Sequence, residues 1–199
     1  NSVSHQTESI LNIAKGFKVG DFKWSTKTEE LSKLWSARHQ AYYATKALFP
    51  NQIGMSTDIC VPISKLAKAI KDTQNDLKKF NVTGSMIGHV GDGNYLTLLF
   101  SDPKNPEDLK LNKYLANRMA ERALDVGGTV TGEHGIGIGK LDLMEQEHGE
   151  ALSVMTDLKK LFDPKNIMNP GKMISLDDQF IVNPDHYSNP RLSAALGAR

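Results

Sequence analysis

Apolar positions along this 199-residue chain change their spacing several times, and each change marks an element. Ile10, Leu11 and Ile13 predict a short helix over residues 7–15, after which the alternation in FKVGDFKWS, residues 17–25, predicts a strand. Thr26 with Glu29 three residues later has capping-box spacing and predicts a helix start, with Leu31, Leu34, Trp35 and Tyr42 on one face and Pro50 beyond its end. The short run TDICVP reads as a buried strand. Ser64 then opens a helix whose Leu66, Ile70, Thr73, Leu77 and Phe80 recur at intervals of three and four.

VTGSMIGHV and YLTLLF flank GDGN, whose residues tolerate positive φ, and so predict an antiparallel hairpin. With Val90 and Tyr95 as the closing pair, His89 would face Leu96, their Cβ atoms roughly 4.5–5.5 Å apart. Asn105 and Pro106 start another helix that carries Leu111, Leu115, Met119 and Val126 inward, and Gly127 and Gly128 stop it. GGTVTGEHGIGIGK has no period. Helical spacing returns over 149–162 through Leu152, Met155, Leu158 and Leu161, and DPKNIMNPGKM turns the chain with two prolines. From Ile174 the polar, proline-containing tail reads as an extended arm. Strands, helices and a hairpin in this order predict an α+β fold.

Composition narrows the partners. Lys and Arg total 24 against 23 Asp and Glu, with no block of like charge, so no nucleic-acid surface is indicated. Cys60 has no partner cysteine within the chain, which excludes an internal disulfide, suits a reducing compartment and reads as a small core residue. No apolar run reaches about 18 residues and no signal-peptide pattern opens the chain. The start, without Met and running straight into an amphipathic pattern, reads as that of a mature or internal fragment.

Four places can carry chemistry, each with a plainer alternative. His89 is either a metal ligand on a hairpin tip or a hydrogen-bonding residue of a glycine-rich turn. In TGEHGIG, Glu133 and His134 stand side by side among glycines; they read as an oxygen ligand and a proton acceptor, or as two solvated residues of a turn. Arg38 shares a helix stripe with Trp35 and Tyr42 and can hold a carboxylate by two hydrogen bonds or extend to water. Asn169 in NPGK offers a donor and an acceptor to a heterocycle, or ends a helix. No GxGxxG or GK[ST] pattern supports a nucleotide fold.

LWSARHQAYYA, STDICVPISKL, GHVGDGN, GGTVTGEHGIGIGK and LFDPKNIMNPGKM occur in that order within residues 17–173. Together they resemble the C-terminal half of the FAD-linked D-lactate dehydrogenases of the mitochondrial, cytochrome-linked type, a family related to D-2-hydroxyglutarate and glycolate dehydrogenases. The resemblance implies a lead-in over residues 1–16 continuing from an N-terminal FAD-binding part outside this chain. It further implies a ferredoxin-like antiparallel cap over 17–130, a C-terminal helical segment over 131–173 that returns to the flavin, and a tail over 174–199. It implies hydride transfer from a D-2-hydroxy acid to FAD, with the base at His134, a substrate-carboxylate clamp at Arg38 and a flavin contact at Asn169. A divalent metal such as zinc would be held by His89, Glu133 and a second histidine, but that third position is Leu96 here, so the metal site is weakened. Implied partners are an FAD-binding domain or chain, a small 2-hydroxy acid and an acceptor such as cytochrome c or quinone, in mitochondria, with the chain inactive alone. The competing expectation is a catalytically degenerate family member, retained as a structural subunit of a larger assembly with the tail as a docking arm. Arg38, Glu133, His134 and Asn169 argue against it.

Overall fold

The structure, a computed structural model, describes residues 2–17 and 23–174. Most of the strand expected over 17–25, and the arm expected beyond Ile174, lie outside these residues. The chain divides into two compact units, Asn1–Leu48 and Phe49–Arg199.

In the first unit, helix α1 spans Ser2–Lys15, α2 Thr28–His39 and α3 Ala41–Ala47. The expected cap at Thr26 is displaced by one residue. Ser25 Oγ accepts the Lys27 N–H at 3.0 Å and donates to Glu30 at 2.6 Å, so serine rather than threonine ties the turn before α2. The single helix expected through Tyr42 divides at Gln40, whose N–H bonds back to Ser36 while its carbonyl starts α3 by accepting from Ala44. Leu31, Leu34 and Trp35 of the expected stripe are exposed, and the Trp35 ring lies 6.1 Å from that of His39 one turn on.

The second unit is built on an antiparallel sheet. Strand β4 (Asn94–Ser101) is central, with β3 (Gly84–Ile87) along one edge. β1 (Ile53–Ser56) and β2 (Ile59–Cys60) lie end to end in one continuous register along the other edge. Cys60 extends the pairing outward through a bridge to Thr129. Side chains alternate along β4. Tyr95 and Leu99 join the core formed with α4 (Ile63–Lys79) and α5 (Pro106–Asp125), whereas Leu96, Leu98 and Phe100 are buried on the opposite face.

Helices α4 and α5 follow the expected spacing closely. Leu66, Thr73 and Leu77 of α4 are buried, as are Leu111, Leu115 and Met119 of α5, and each buried leucine contributes about 2 kcal/mol by leaving water. Asn105 caps α5 through the Glu107 N–H, with Pro106 in the first turn, where its missing donor costs nothing. The two helices are also tied by charge, because buried Asp76 of α4 accepts from Arg118 and Arg122 of α5. Beyond Thr129 the aperiodic stretch contains a 3-10 turn over Ile138–Leu143 and a short helix, α6 (Met144–His148). Helix α7 (Ala151–Phe162) forms where expected, but Val154, Leu158, Leu161 and Phe162 remain exposed.

The hairpin is present with a different register. Ile87, not His89, opposes Leu96, because Val90–Asp92 forms a 3-10 turn and the whole His89–Gly93 segment is used in the connection. Gly93 has φ +82°, and a Cβ there would lie 2.0 Å from the Val61 carbonyl, so only glycine closes this turn against the chain leaving β2.

Candidate active site

Between β1 and β2 stand Thr57 and Asp58. The Thr57 N–H donates to the Thr97 carbonyl and its hydroxyl accepts the Thr97 N–H, both at 2.9 Å, which carries the register through. Ile59 points into the helical core, so by alternation Asp58 points to the other face, the face of Asn94 and Leu96. A charge there is tolerated only if every lone pair finds a donor.

Those donors come from the glycine-rich loop. Asp58 is 2% exposed; its Oδ1 accepts from the Asn94 side chain at 2.8 Å, and its Oδ2 from the Thr131 hydroxyl at 3.1 Å. The same Oδ2 accepts the backbone N–H groups of Glu133 at 2.9 Å and His134 at 2.8 Å. Burial alone would raise the Asp58 pKa, but the two amides, Asn94 and the nearby Lys140 charge outweigh it and hold it at about 2. Lys140 fastens the loop from its far end, its ammonium donating to the Asp58 carbonyl at 2.7 Å and to the Val130 carbonyl. Burial pushes the Lys140 pKa down, against the opposing attraction of Asp58 and Glu147. Gly132 makes the close approach possible, since a Cβ there would lie 1.9 Å from Asn94 Nδ2 and 2.8 Å from Asp58 Oδ1.

Held this way, Glu133 meets His89 and His134 stands beside Glu133. Glu133 Oε2 lies 3.5 Å from His89 Nε2, and Glu133 Oε1 lies 3.8 Å from His134 Nε2. His134 Nδ1 is 3.7 Å from Asp58 Oδ2, and its side chain is 52% exposed. A carboxylate thus stands between two imidazoles, one of which is backed by a second carboxylate and open to an incoming molecule. Such a group can accept a proton and stabilise the charge it gains.

The His89–Glu133 separation of 3.5 Å is close to the roughly 3.4 Å expected between two ligands of a tetrahedral ion with bonds of about 2.1 Å. The third position fails. Leu96 shares this face but presents only carbon, and among the described residues no three His, Cys, Asp or Glu side chains are grouped to hold a metal. Two donors do not fit the three-ligand set the resemblance implies.

Arg38 lies in the last turn of α2, half-buried, in the first unit. Asn169 is exposed in the C-terminal turn of the second unit, its backbone left-handed at φ 49°. Buried Asp163 shapes that turn by accepting the Ile167 and Met168 N–H groups at 2.9 Å each, and its pKa is lowered first by Lys159 and then by those amides. The carboxamide of Asn169 offers both a donor and an acceptor at the surface.

Asp58, Asn94 and Lys140 escaped the sequence reading. The signal for Asp58 was a carboxylate within an otherwise apolar strand, TDICVP, where burial demands compensation. Asn94 and Lys140 are the final letters of GDGN and GIGIGK and carried no separate signal.

The profile of a family described as FAD linked oxidases, C-terminal domain, matches residues 1–173. The chain is 44% identical over 176 residues to "Probable D-lactate dehydrogenase, mitochondrial" of Danio rerio, covering 88% of this chain and 35% of that protein. It is 39% identical over 170 residues to D-lactate dehydrogenase (cytochrome), mitochondrial, of Arabidopsis thaliana, covering 85% of this chain and 30% of the relative. Similarity extends to the glycolate oxidase subunit GlcD of Bacillus subtilis at 33% identity over 177 residues, 88% of this chain and 37% of that subunit. The chain spans about a third of the length of these relatives.

Proposed function

Because the chain belongs to the family of FAD-linked oxidase C-terminal domains, we propose that it is the cap and C-terminal part of a flavin-dependent D-2-hydroxyacid dehydrogenase acting on D-lactate or a close analogue. The observation that carries this reading is the meeting of His89, Glu133 and His134 on one face of the sheet, from segments far apart in sequence.

Bound FAD supplies the acceptor for the two electrons and the hydrogen that leave the substrate carbon. His134 would take the hydroxyl proton and become an imidazolium as the substrate becomes a 2-oxo acid. Glu133 and Asp58 both stand within 4 Å of the ring. In this reading Arg38 would hold the substrate carboxylate through its planar guanidinium, and Asn169 would offer its carboxamide to the flavin. No step is routed through a metal here, since among the described residues two donors stand where the resemblance implies three.

In this reading residues 17–130 form the cap and 131–173 the segment that returns to the flavin. The strand order Thr129, β1/β2, β4, β3, with α4 and α5 on one face, supports a ferredoxin-like arrangement. The names of the relatives support a mitochondrial location and onward electron transfer to a cytochrome; the reading further takes quinone as an alternative acceptor and an FAD-binding portion as the partner. Leu96 favours a second reading, a structural subunit that retains the fold without turnover.

The test is dye reduction by the chain assembled with its FAD-binding portion and loaded with flavin, given D-lactate, D-2-hydroxyglutarate or glycolate. We expect turnover, and we expect His134→Gln to lower kcat by about 10²–10⁴-fold while leaving flavin absorbance intact. Bound flavin with no turnover on any of the three acids would overturn the dehydrogenase reading in favour of the structural one.

A further inference from the structure

We propose that Asp58 is a positioning residue of this site, fixing the directions of Glu133 and His134 together through their two consecutive backbone N–H groups. The inference rests on the dehydrogenase reading above and adds a residue to it. Adjacent residues in an extended strand point to opposite sides, so a carboxylate and an imidazole at neighbouring positions would ordinarily be separated by the backbone. Here one carboxylate oxygen, Oδ2, collects the Glu133 and His134 amides at 2.9 and 2.8 Å and the Thr131 hydroxyl at 3.1 Å, which bends the backbone around a single point. Gly132 before the pair permits contact with Asp58 and Asn94, and Gly135 after it, at φ +76°, carries the chain away. Both side chains emerge on the same side, within 3.5–3.8 Å of His89 or of each other.

Asp58 is itself unable to drift. Its Oδ1 is held by Asn94, its carbonyl by Lys140, and its flanking residues by the register of β1 and β2 against β4. The carboxylate therefore transmits the rigidity of the sheet to a loop that has no ladder of its own. A carboxylate is needed because both oxygens accept: an amide at this position turns an NH2 group toward donors in either orientation.

The experiment compares Asp58→Asn with Asp76→Asn in the chain assembled with its FAD-binding portion and loaded with flavin. Asp76 is also a buried, paired carboxylate, but it ties α4 to α5 and makes no contact with the loop. We expect Asp58→Asn to lower kcat by about 10²-fold with KM changed by less than about threefold, because displacement near 1 Å of a catalytic group costs about that much. Asp76→Asn should lower the melting temperature comparably and leave kcat of the folded protein unchanged. A second measurement needs no variant. In wild-type protein the Glu133 and His134 amides should exchange their hydrogens at least about 10²-fold more slowly than the Gly135 amide, although both side chains are exposed.

Equal kcat in Asp58→Asn and wild type, or an equal loss in the two variants, overturns the positioning role. Fast exchange at both amides in wild type overturns it even if Asp58→Asn fails to fold. A flavin-loaded wild type without turnover overturns the dehydrogenase reading and the kinetic role with it, while the exchange rates still decide whether Asp58 holds the loop.

Discussion

Replacing Leu96 by histidine tests the geometry of the site without relying on activity. Leu96 is 7% exposed and faces the side of the sheet on which the 131–134 loop is held by Asp58 and Asn94. Two metal donors, His89 and Glu133, already stand 3.5 Å apart. Without metal the substitution removes about 2 kcal/mol of apolar burial and places an imidazole among few partners, a further cost of about 1 kcal/mol. A loss of about 3 kcal/mol lowers Tm by roughly 6–12 °C in a domain of this size. With zinc, a third ligand should raise affinity by at least about 100-fold, and saturation at 1,000 times Kd would restore about 4 kcal/mol. Leu96→His should therefore melt below wild type in chelator and at or above it in zinc, with the affinity gain read by calorimetric titration. Leu98→His, on the same face one pair farther along, should lose stability in both conditions. If zinc leaves the melting of Leu96→His unchanged and its affinity matches wild type, position 96 does not face His89 and Glu133, and the placement argued from strand alternation is wrong.

Two further outcomes follow from the same network. Gly132→Ala should destabilise by about 1–3 kcal/mol in denaturant titration, because its Cβ would overlap Asn94 and press on Asp58; Gly91→Ala, with nothing within 4 Å of its Cβ, should stay within about 0.5 kcal/mol. The Asp58 carboxyl is depressed from 3.8 to about 2 on folding, so its contribution, about 2 kcal/mol, is fully present above pH 4 and is lost as pH falls toward 2. Urea midpoints measured at pH 5 and pH 2.5 should show that loss in wild type and a smaller one in Asp58→Asn; equal losses would refute the assignment.

Elements held by local chemistry could be read directly. Asn105, Pro106 and Gly127 bracket α5, and the three-and-four spacing from Leu66 to Leu77 marks α4, because caps and amphipathic faces are properties of neighbouring residues. The hairpin was legible but its register was not. GDGN can close a hairpin at several lengths, and the 3-10 turn that consumes Val90–Asp92 is stabilised by the His89 and Val90 carbonyls rather than by any residue type that announces it. On the site side, the resemblance pointed to His89, Glu133 and His134, which the fold brings together. Asp58 could not be seen in the same way, since its meaning depends on donors from a loop more than 70 residues downstream.

That separation has a kinetic consequence. The bonds from Asp58 to Glu133 and His134 close loops of 75 and 76 residues, whereas β3 and β4 meet across a short turn. Long-range contacts bear the entropy of loop closure before they return any stabilisation. During folding the sheet and its two helices would form around Leu99 first, and the 131–134 loop would dock afterward onto a surface already made. A folding experiment that follows the sheet and the loop separately would then see a compact species in which the His89 side of the hairpin exists while Glu133 and His134 have not yet arrived.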